Sequence, residues 1–213
     1  MSVELLEIFG SDIMVCDAAR VSYGKTSKKI SLEKNEKLIS FLAKHNHWSP
    51  FSHPQLQFRI KCPIYVERQL FKHQVGISVN SISGRYVDFS DTYSKINIWR
   101  KQSEDSKQGS QGEIEDQQFA SDIEESIITH CQRPYSLLLK AGVCKEQART
   151  ILPLNLNTEF IWTGSLYAFI RMCKQRIKDD VQKETREIVE EMLKLVKNTE
   201  KFTLSLKAYE LGT

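Results

Sequence analysis

From Gln55 to Lys61 the chain alternates strictly, with Leu56, Phe58 and Ile60 apolar and Gln55, Gln57, Arg59 and Lys61 polar. Alternation with period two describes a strand with one buried face. The pattern stops at Cys62-Pro63. Proline needs no backbone donor in a first helical turn, so the chain can pass there from strand straight into helix. A half-buried strand that feeds a helix calls for a sheet with helices packed on it. Val3 to Phe9 alternates weakly, and Asn155 to Thr163 carries Phe160, Ile161 and Trp162, so both read as further strands. Helical patterning covers Asp12 to Arg20, Ser165 to Lys178 and Val181 to Lys197. Ser31 is placed to cap a helix carrying Leu38, Ile39, Phe41 and Leu42. Glu113 to Lys140 reads as a long helix with Phe119, Ile123, Ile127 and Ile128 on one side, kinked or divided at Pro134 and ended at Gly142. A short helix is expected from Lys145 to Ile151. Pro50 makes His45 to His53 a turn. Tyr23 to Ile30, with Lys25, Lys28 and Lys29, reads as a mobile polar loop, and Lys101 to Gly112, without an aliphatic residue, as an exposed loop or insertion. Strands early in the chain with helices on both sides make the class α+β, in one domain over residues 1–213.

Composition removes several functions. A net charge of +3 is too mild for a nucleic-acid binder, which concentrates basic residues in a patch. No apolar run approaches the ~18 residues of a membrane span. The five cysteines (Cys16, Cys62, Cys131, Cys144 and Cys173) are scattered, without Cys-x-x-Cys spacing, which argues against zinc and dithiol chemistry and for a reducing cytoplasm. Cys62 and Cys131 have no basic neighbour arranged to activate them, so buried structural thiols are the expectation. His45, His47 and His53 lie close together, but no helix-spaced histidine pair or nearby carboxylate completes a metal site, and no metal is expected.

Chemistry concentrates between Gln69 and Tyr86. If the helix opened at Pro63 continues, Gln69, Lys72 and His73 fall at i, i+3 and i+4 on one face. If the chain past Gly76 is extended, Ser81, Ser83 and Arg85 point one way and Ile82 and Gly84 the other. Hydroxyls, a glycine and a fixed guanidinium suit a phosphate. Residue types alone favour a plainer reading, because Ser/Asn/Gly runs between apolar segments are usually turns. On the helix after Ser165, Arg176 shares a face with Phe169 and Met172, an unusual choice for a solvated arginine, although a surface ion pair stays open. Arg171 lies about 140° further round with Tyr167.

The stretch Lys72-His73-Gln74, then eight residues, then Ser83, ending Asn80-Ser81-Ile82-Ser83-Gly84-Arg85-Tyr86, resembles the signature of the flavin-dependent thymidylate synthases. That signature is Arg-His-Arg, seven residues and Ser, ending Asn-Glu-x-Ser-x-Arg-Tyr. His47-Trp48-Ser49-Pro50-Phe51-Ser52-His53 is similar to the family's His-x-Ser/Thr-Pro-Phe-x-His turn beside the flavin. Ala148-Arg149-Thr150-Ile151-Leu152-Pro153 is similar to its Ala-Arg-x-x-Leu-Pro segment, and the spacing then holds to Arg176 and Gln182. The resemblance implies a mixed or antiparallel sheet flanked by helices, in a homotetramer whose active sites draw on several subunits. It implies reductive methylation of dUMP to dTMP, with FAD as cofactor and NADPH and methylenetetrahydrofolate as co-substrates. It assigns dUMP to Gln69, Leu70, Phe71, Lys72, Ser81, Ile82, Ser83, Gly84, Arg85, Arg149 and Arg176. Arg176 is the catalytic residue that stabilises charge on the uracil ring. FAD falls to His47, Ser49, Lys72, His73, Gln74, Ser81, Ser165, Tyr167 and Arg171.

The chain departs from the family pattern at Lys72 and Gln74, which replace arginines. Ser81 replaces glutamate, Ser165 stands where many members have asparagine, and Asp180 where many have histidine. These departures fall on the flavin side. They leave open a divergent relative that binds a nucleotide without this catalysis.

Overall fold

Two antiparallel sheets carry the chain, in a computed structural model that describes all residues except 28, 29, 90, 91, 105, 106 and 213. The strands are β1 (Ser2–Phe9), β2 (Gln55–Pro63), β3 (Ile77–Ser81), β4 (Arg100–Gln102), β5 (Ser110–Glu113) and β6 (Asn157–Ser165). One sheet has the order β1-β2-β6-β3; the other is the pair β4-β5. The helices are α1 (Asp12–Arg20), α2 (Leu32–Lys44), α3 (Ile64–Leu70), α4 (Gln117–Lys140), α5 (Lys145–Ala148), α6 (Leu166–Arg176), α7 (Lys183–Asn198) and α8 (Thr203–Ala208). The class is α+β with an antiparallel sheet.

The alternation of β2 buries what it promised. Leu56, Phe58 and Ile60 are buried and lie in register with Gly164, Trp162 and Phe160 of β6. The Phe58 ring stacks on Phe169 of α6 with centroids 5.9 Å apart, and Met172, Ile188, Val189, Met192 and Val196 close the same core. Each such side chain contributes roughly 1.5–3 kcal/mol on burial. Helices α6 and α7 are therefore fixed rigidly on the sheet, and α6 ends in Arg176.

Several expectations are corrected. The helix after Pro63 stops at Leu70, so Lys72 and His73 lie in the turn beyond it and share no helix face with Gln69. The stop follows from the need to return: Phe71 packs edge-on against Phe160, and the chain turns at Gly76 (φ 76°) to lay β3 along β6. β3 ends at Ser81, so Ser83 and Arg85 sit in turns and not on an extended edge. Within the expected loop from Lys101 to Gly112, β4 pairs with β5, and Asp105 lies outside the described residues. Glu113 belongs to β5, and α4 begins at Gln117 behind an Asp116 cap that accepts from Phe119 N at 2.8 Å. Pro134 neither divides nor ends α4. The Lys145–Ile151 helix is a four-residue α5 followed by a tighter 3-10 turn, Arg149–Ile151. Of the predicted loop, Lys28 and Lys29 lie outside the described residues, while Ser27 is buried and its N–H donates to Asp17.

Helix α8 was unforeseen. Asp12, at the other end of the chain, caps it: its carboxylate accepts from Leu204 N at 2.7 Å and Ser205 N at 3.0 Å. Burial pushes the Asp12 pKa up against these hydrogen bonds.

Candidate functional site

Arg176 closes α6 half-buried. Its Nε donates to His73 Nε2 at 2.8 Å, and its Nη2 donates to the Gln69 carbonyl at 2.9 Å. Nη1 has no hydrogen-bond partner among the described residues. Burial lowers the Arg176 pKa, but a guanidinium remains charged at neutral pH. Burial, then Arg176, then Arg171 lower the pKa of His73. A neutral His73 is also what the geometry demands, since its Nε2 must accept. Gln69, Gln175, Arg176, Asp180 and Gln182 line a cavity of about 500 Å³ here. A fixed cation with a spare donor, on the helix that buries Phe169 and Met172, can stabilise negative charge on a ring held against it.

Behind this cluster runs a relay of hydrogen bonds. Gln69 Nε2 donates to Gln182 Oε1, and Gln182 Nε2 donates to Glu184 Oε2 at 3.0 Å. Glu184 also accepts from Arg100 Nη2 of β4 at 2.8 and 3.1 Å. Burial works to raise the Glu184 pKa, but its hydrogen bonds and Arg100 outweigh it, and the carboxyl lies below its usual value.

A second cavity, of about 300 Å³, is lined by Glu67, Ser81, Ile82, Gly84, Phe89 and Arg149, among others. Glu67 Oε1 accepts from Ser81 Oγ at 3.1 Å and Thr158 Oγ1 at 3.4 Å, and burial raises its pKa over both. At Gly84 a Cβ would lie 2.5 Å from Phe89 and 3.1 Å from the Arg149 side chain. Only glycine lets that turn meet the arginine so closely.

A third cavity, about 610 Å³, is walled by Trp48, Val75, Gly76, Ser165, Tyr167 and Arg171. Trp48 stacks on Tyr167 with centroids 5.8 Å apart, and the Arg171 guanidinium lies over the Tyr167 ring at 5.9 Å. Ser165 Oγ is engaged in capping α6 through Ala168 N at 3.2 Å. Two aromatic faces with a guanidinium suit a planar heterocycle that carries negative charge. His47 and Ser49 line a neighbouring cavity of about 530 Å³ across Trp48.

The predicted residues thus fall into separate groups. Arg176, His73 and Gln69 meet. Ser81, Ile82, Gly84 and Arg149 share a second place, and Ser165, Tyr167 and Arg171 a third. Leu70 is buried in the core and Phe71 packs on it, which leaves only their backbones to offer a ligand. Lys72, Gln74 and Arg85 are exposed, with the Arg85 guanidinium 5.3 Å from the Tyr86 ring centroid. Ser83 accepts from Arg85 N at 3.3 Å. Sequence reading missed Glu184 and Glu67, whose roles depend on partners far along the chain.

A family model described as "Thymidylate synthase complementing protein" matches residues 4–199. A flavin-dependent thymidylate synthase of Thermus thermophilus is 36% identical over 208 residues, 98% of this chain and 75% of that protein. One of Wolbachia pipientis is 36% identical over 200 residues, covering 92% of this chain and 69% of that protein. Among solved structures, the UMP/dUMP methylase PolB of Streptomyces cacaoi bound with 5-Br dUMP has a similar fold. The TM-score is 0.86 at 24% identity, over 98% of this chain and 94% of that one.

Proposed function

The chain belongs to the thymidylate synthase complementing protein family, and from that premise we propose that it is a flavin-dependent thymidylate synthase that methylates dUMP reductively to dTMP. The observation that carries the reading is Arg176, held on two sides by His73 and Gln69 with a third nitrogen unpaired among the described residues. Its fixed charge stabilises the uracil ring as an anion, which raises the electron density at C5 and makes it nucleophilic. Arg149, beside Gly84, and the exposed Arg85 meet the phosphate dianion. Residues 1–213 act as one domain.

The aromatic cavity fits a flavin. Trp48 and Tyr167 supply stacking faces, Arg171 supplies charge, and Gly76 admits close approach, since a Cβ there would meet Ser165 Oγ at 3.2 Å. FAD held there supplies reducing equivalents drawn from NADPH, and methylenetetrahydrofolate supplies the carbon. His47, Ser49, Lys72, His73 and Gln74 add polar contacts from nearby elements.

The working form is a homotetramer. Within one chain the residues assigned to the ring and those assigned to the phosphate line different cavities, which a neighbouring subunit can join. Helix α4 offers an unpartnered apolar stripe for that contact, with Phe119, Ile123 and Ile127 at 64%, 53% and 50% exposure. The reaction belongs to the cytoplasm; the described residues hold no disulfide and no helix long and apolar enough to cross a membrane. The test is spectroscopic. The purified protein should carry a visible flavin band that shifts on addition of dUMP. A colourless protein that takes up no added FAD contradicts the reading.

A further inference from the structure

We propose that Glu67 is a substrate-binding carboxylate that receives the sugar 3′-hydroxyl of the nucleotide whose phosphate Arg149 holds. The inference rests on reading the cavity shared by Glu67 and Arg149 as the phosphate site of dUMP.

Three elements bring polar groups to one corner. Helix α3 starts where β2 ends, at Pro63, and carries Glu67. Cys62 of β2 pairs with Thr158 of β6, and Ser81, the last residue of β3, pairs with Phe160 of the same strand. The Ser81 and Thr158 hydroxyls both donate to Glu67 Oε1, at 3.1 and 3.4 Å. Glu67 Oε2 accepts from no group among the described residues, and an ionised carboxylate can only accept. Where the family signature carries glutamate this chain carries Ser81. The Ser81 hydroxyl is committed to Glu67, so a carboxylate still stands at this corner, supplied by α3.

Glu67 and Arg149 line the same cavity of about 300 Å³, and among the described residues no ion pair joins them. The Arg149 side chain lies instead beside Gly84, and its Nε donates to the Glu146 carbonyl at 3.4 Å. Opposite charges that share a small space unpaired suit a ligand with an anion at one end and a hydrogen-bond donor at the other. The phosphate itself cannot face Glu67, because like charges repel strongly where water is displaced. Deoxyribose supplies the donor. Its one free hydroxyl in dUMP is on C3′, next to the C4′ that carries the phosphorylated C5′, so both groups can enter one small cavity together. A hydroxyl donating to a carboxylate makes a charge-assisted bond, stronger than a neutral one. Burial raises the Glu67 pKa over its two present hydrogen bonds, and a third donor favours the ionised form.

The test is calorimetric titration of the full-length, flavin-loaded protein with dUMP and with 2′,3′-dideoxyuridine 5′-monophosphate, which lacks the hydroxyl. The wild type should bind dUMP more tightly by about tenfold or more. Glu67→Ala removes the acceptor, and Glu67→Gln removes only its charge. The preference should fall to about twofold or less in Glu67→Ala and to an intermediate value in Glu67→Gln. A merely structural Glu67 lowers both affinities together and leaves their ratio at the wild-type value; that outcome in the folded variants overturns the proposal. If Glu67→Ala does not fold, Glu67→Gln decides alone. A wild type that binds both nucleotides equally also overturns it. A wild type that binds neither, or an Arg149→Ala variant that weakens neither, refutes the phosphate-site reading beneath it.

Discussion

Arg176→Lys removes the planar fork and keeps the charge. In the wild type, Nε is occupied by His73 at 2.8 Å and Nη2 by the Gln69 carbonyl at 2.9 Å, which leaves Nη1 for the ring. A lysine ammonium is one point on a flexible stem and cannot hold two fixed partners and aim a third donor in the same plane. It also gives up its proton more readily when desolvated, and burial already depresses the arginine here. Losing one charge-assisted hydrogen bond to the substrate costs about 1.5–3 kcal/mol. Losing a preorganised donor aimed at developing charge costs about 2.7–4 kcal/mol. The second range applies if Arg176 acts on the transition state, and it corresponds to a fall in turnover of roughly two to three orders of magnitude. Arg176 lies at a cavity and not in the core, so the variant should fold and retain flavin. The assay is dTMP formation from dUMP, methylenetetrahydrofolate and reduced flavin, on protein shown to be folded by circular dichroism. Turnover within about threefold of wild type would falsify the activating role.

Three further outcomes follow from named contacts. The His73 pKa is depressed below its usual 6.5, so the stability that neutral His73 contributes is complete above that value and is lost as pH falls from it towards the folded pKa. The kcat/KM profile should show an acid limb below pH 6.5 that disappears in His73→Gln; a limb centred above it contradicts the assignment. Gly84→Ala sets a Cβ 2.5 Å from Phe89 and 3.1 Å from Arg149, which should cost about 1–3 kcal/mol and weaken dUMP binding by displacing Arg149. An unchanged Tm with unchanged dUMP affinity would show that the turn yields freely. Ile123→Asp on the exposed stripe of α4 should lower the mass seen by light scattering, and a wild-type monomer at micromolar concentration would remove the shared site.

The central strand was legible because its chemistry is local: Leu56, Phe58 and Ile60 alternate, and all are buried. Helices α6 and α7 were legible for the same reason, since their apolar spacing matches the faces that pack on β2 and β6 (α6) and on β1 and α6 (α7). Where the sequence misled, distant residues decided. Nothing between Pro63 and His73 announces a helix end, because the stop is set by Phe71 meeting Phe160 and by β3 returning to β6. The β4-β5 hairpin has no apolar period; Arg100 anchors it on Glu184, in α7. Helix α8 depends on Asp12, nearly the whole chain away. At the site, Arg176 stood out as a charge on an apolar face. Glu184 did not, because its meaning lies in Arg100, Gln182 and, through Gln182, Gln69, which only the fold brings together.

The most direct measurement is product formation by the wild-type protein. With dUMP, methylenetetrahydrofolate, NADPH and FAD supplied together, the account predicts dTMP by chromatography, and none from flavin-stripped protein without added FAD or when the folate is left out. A folded, flavin-bound protein that binds dUMP and forms no dTMP contradicts the account and leaves a nucleotide-binding relative without this chemistry.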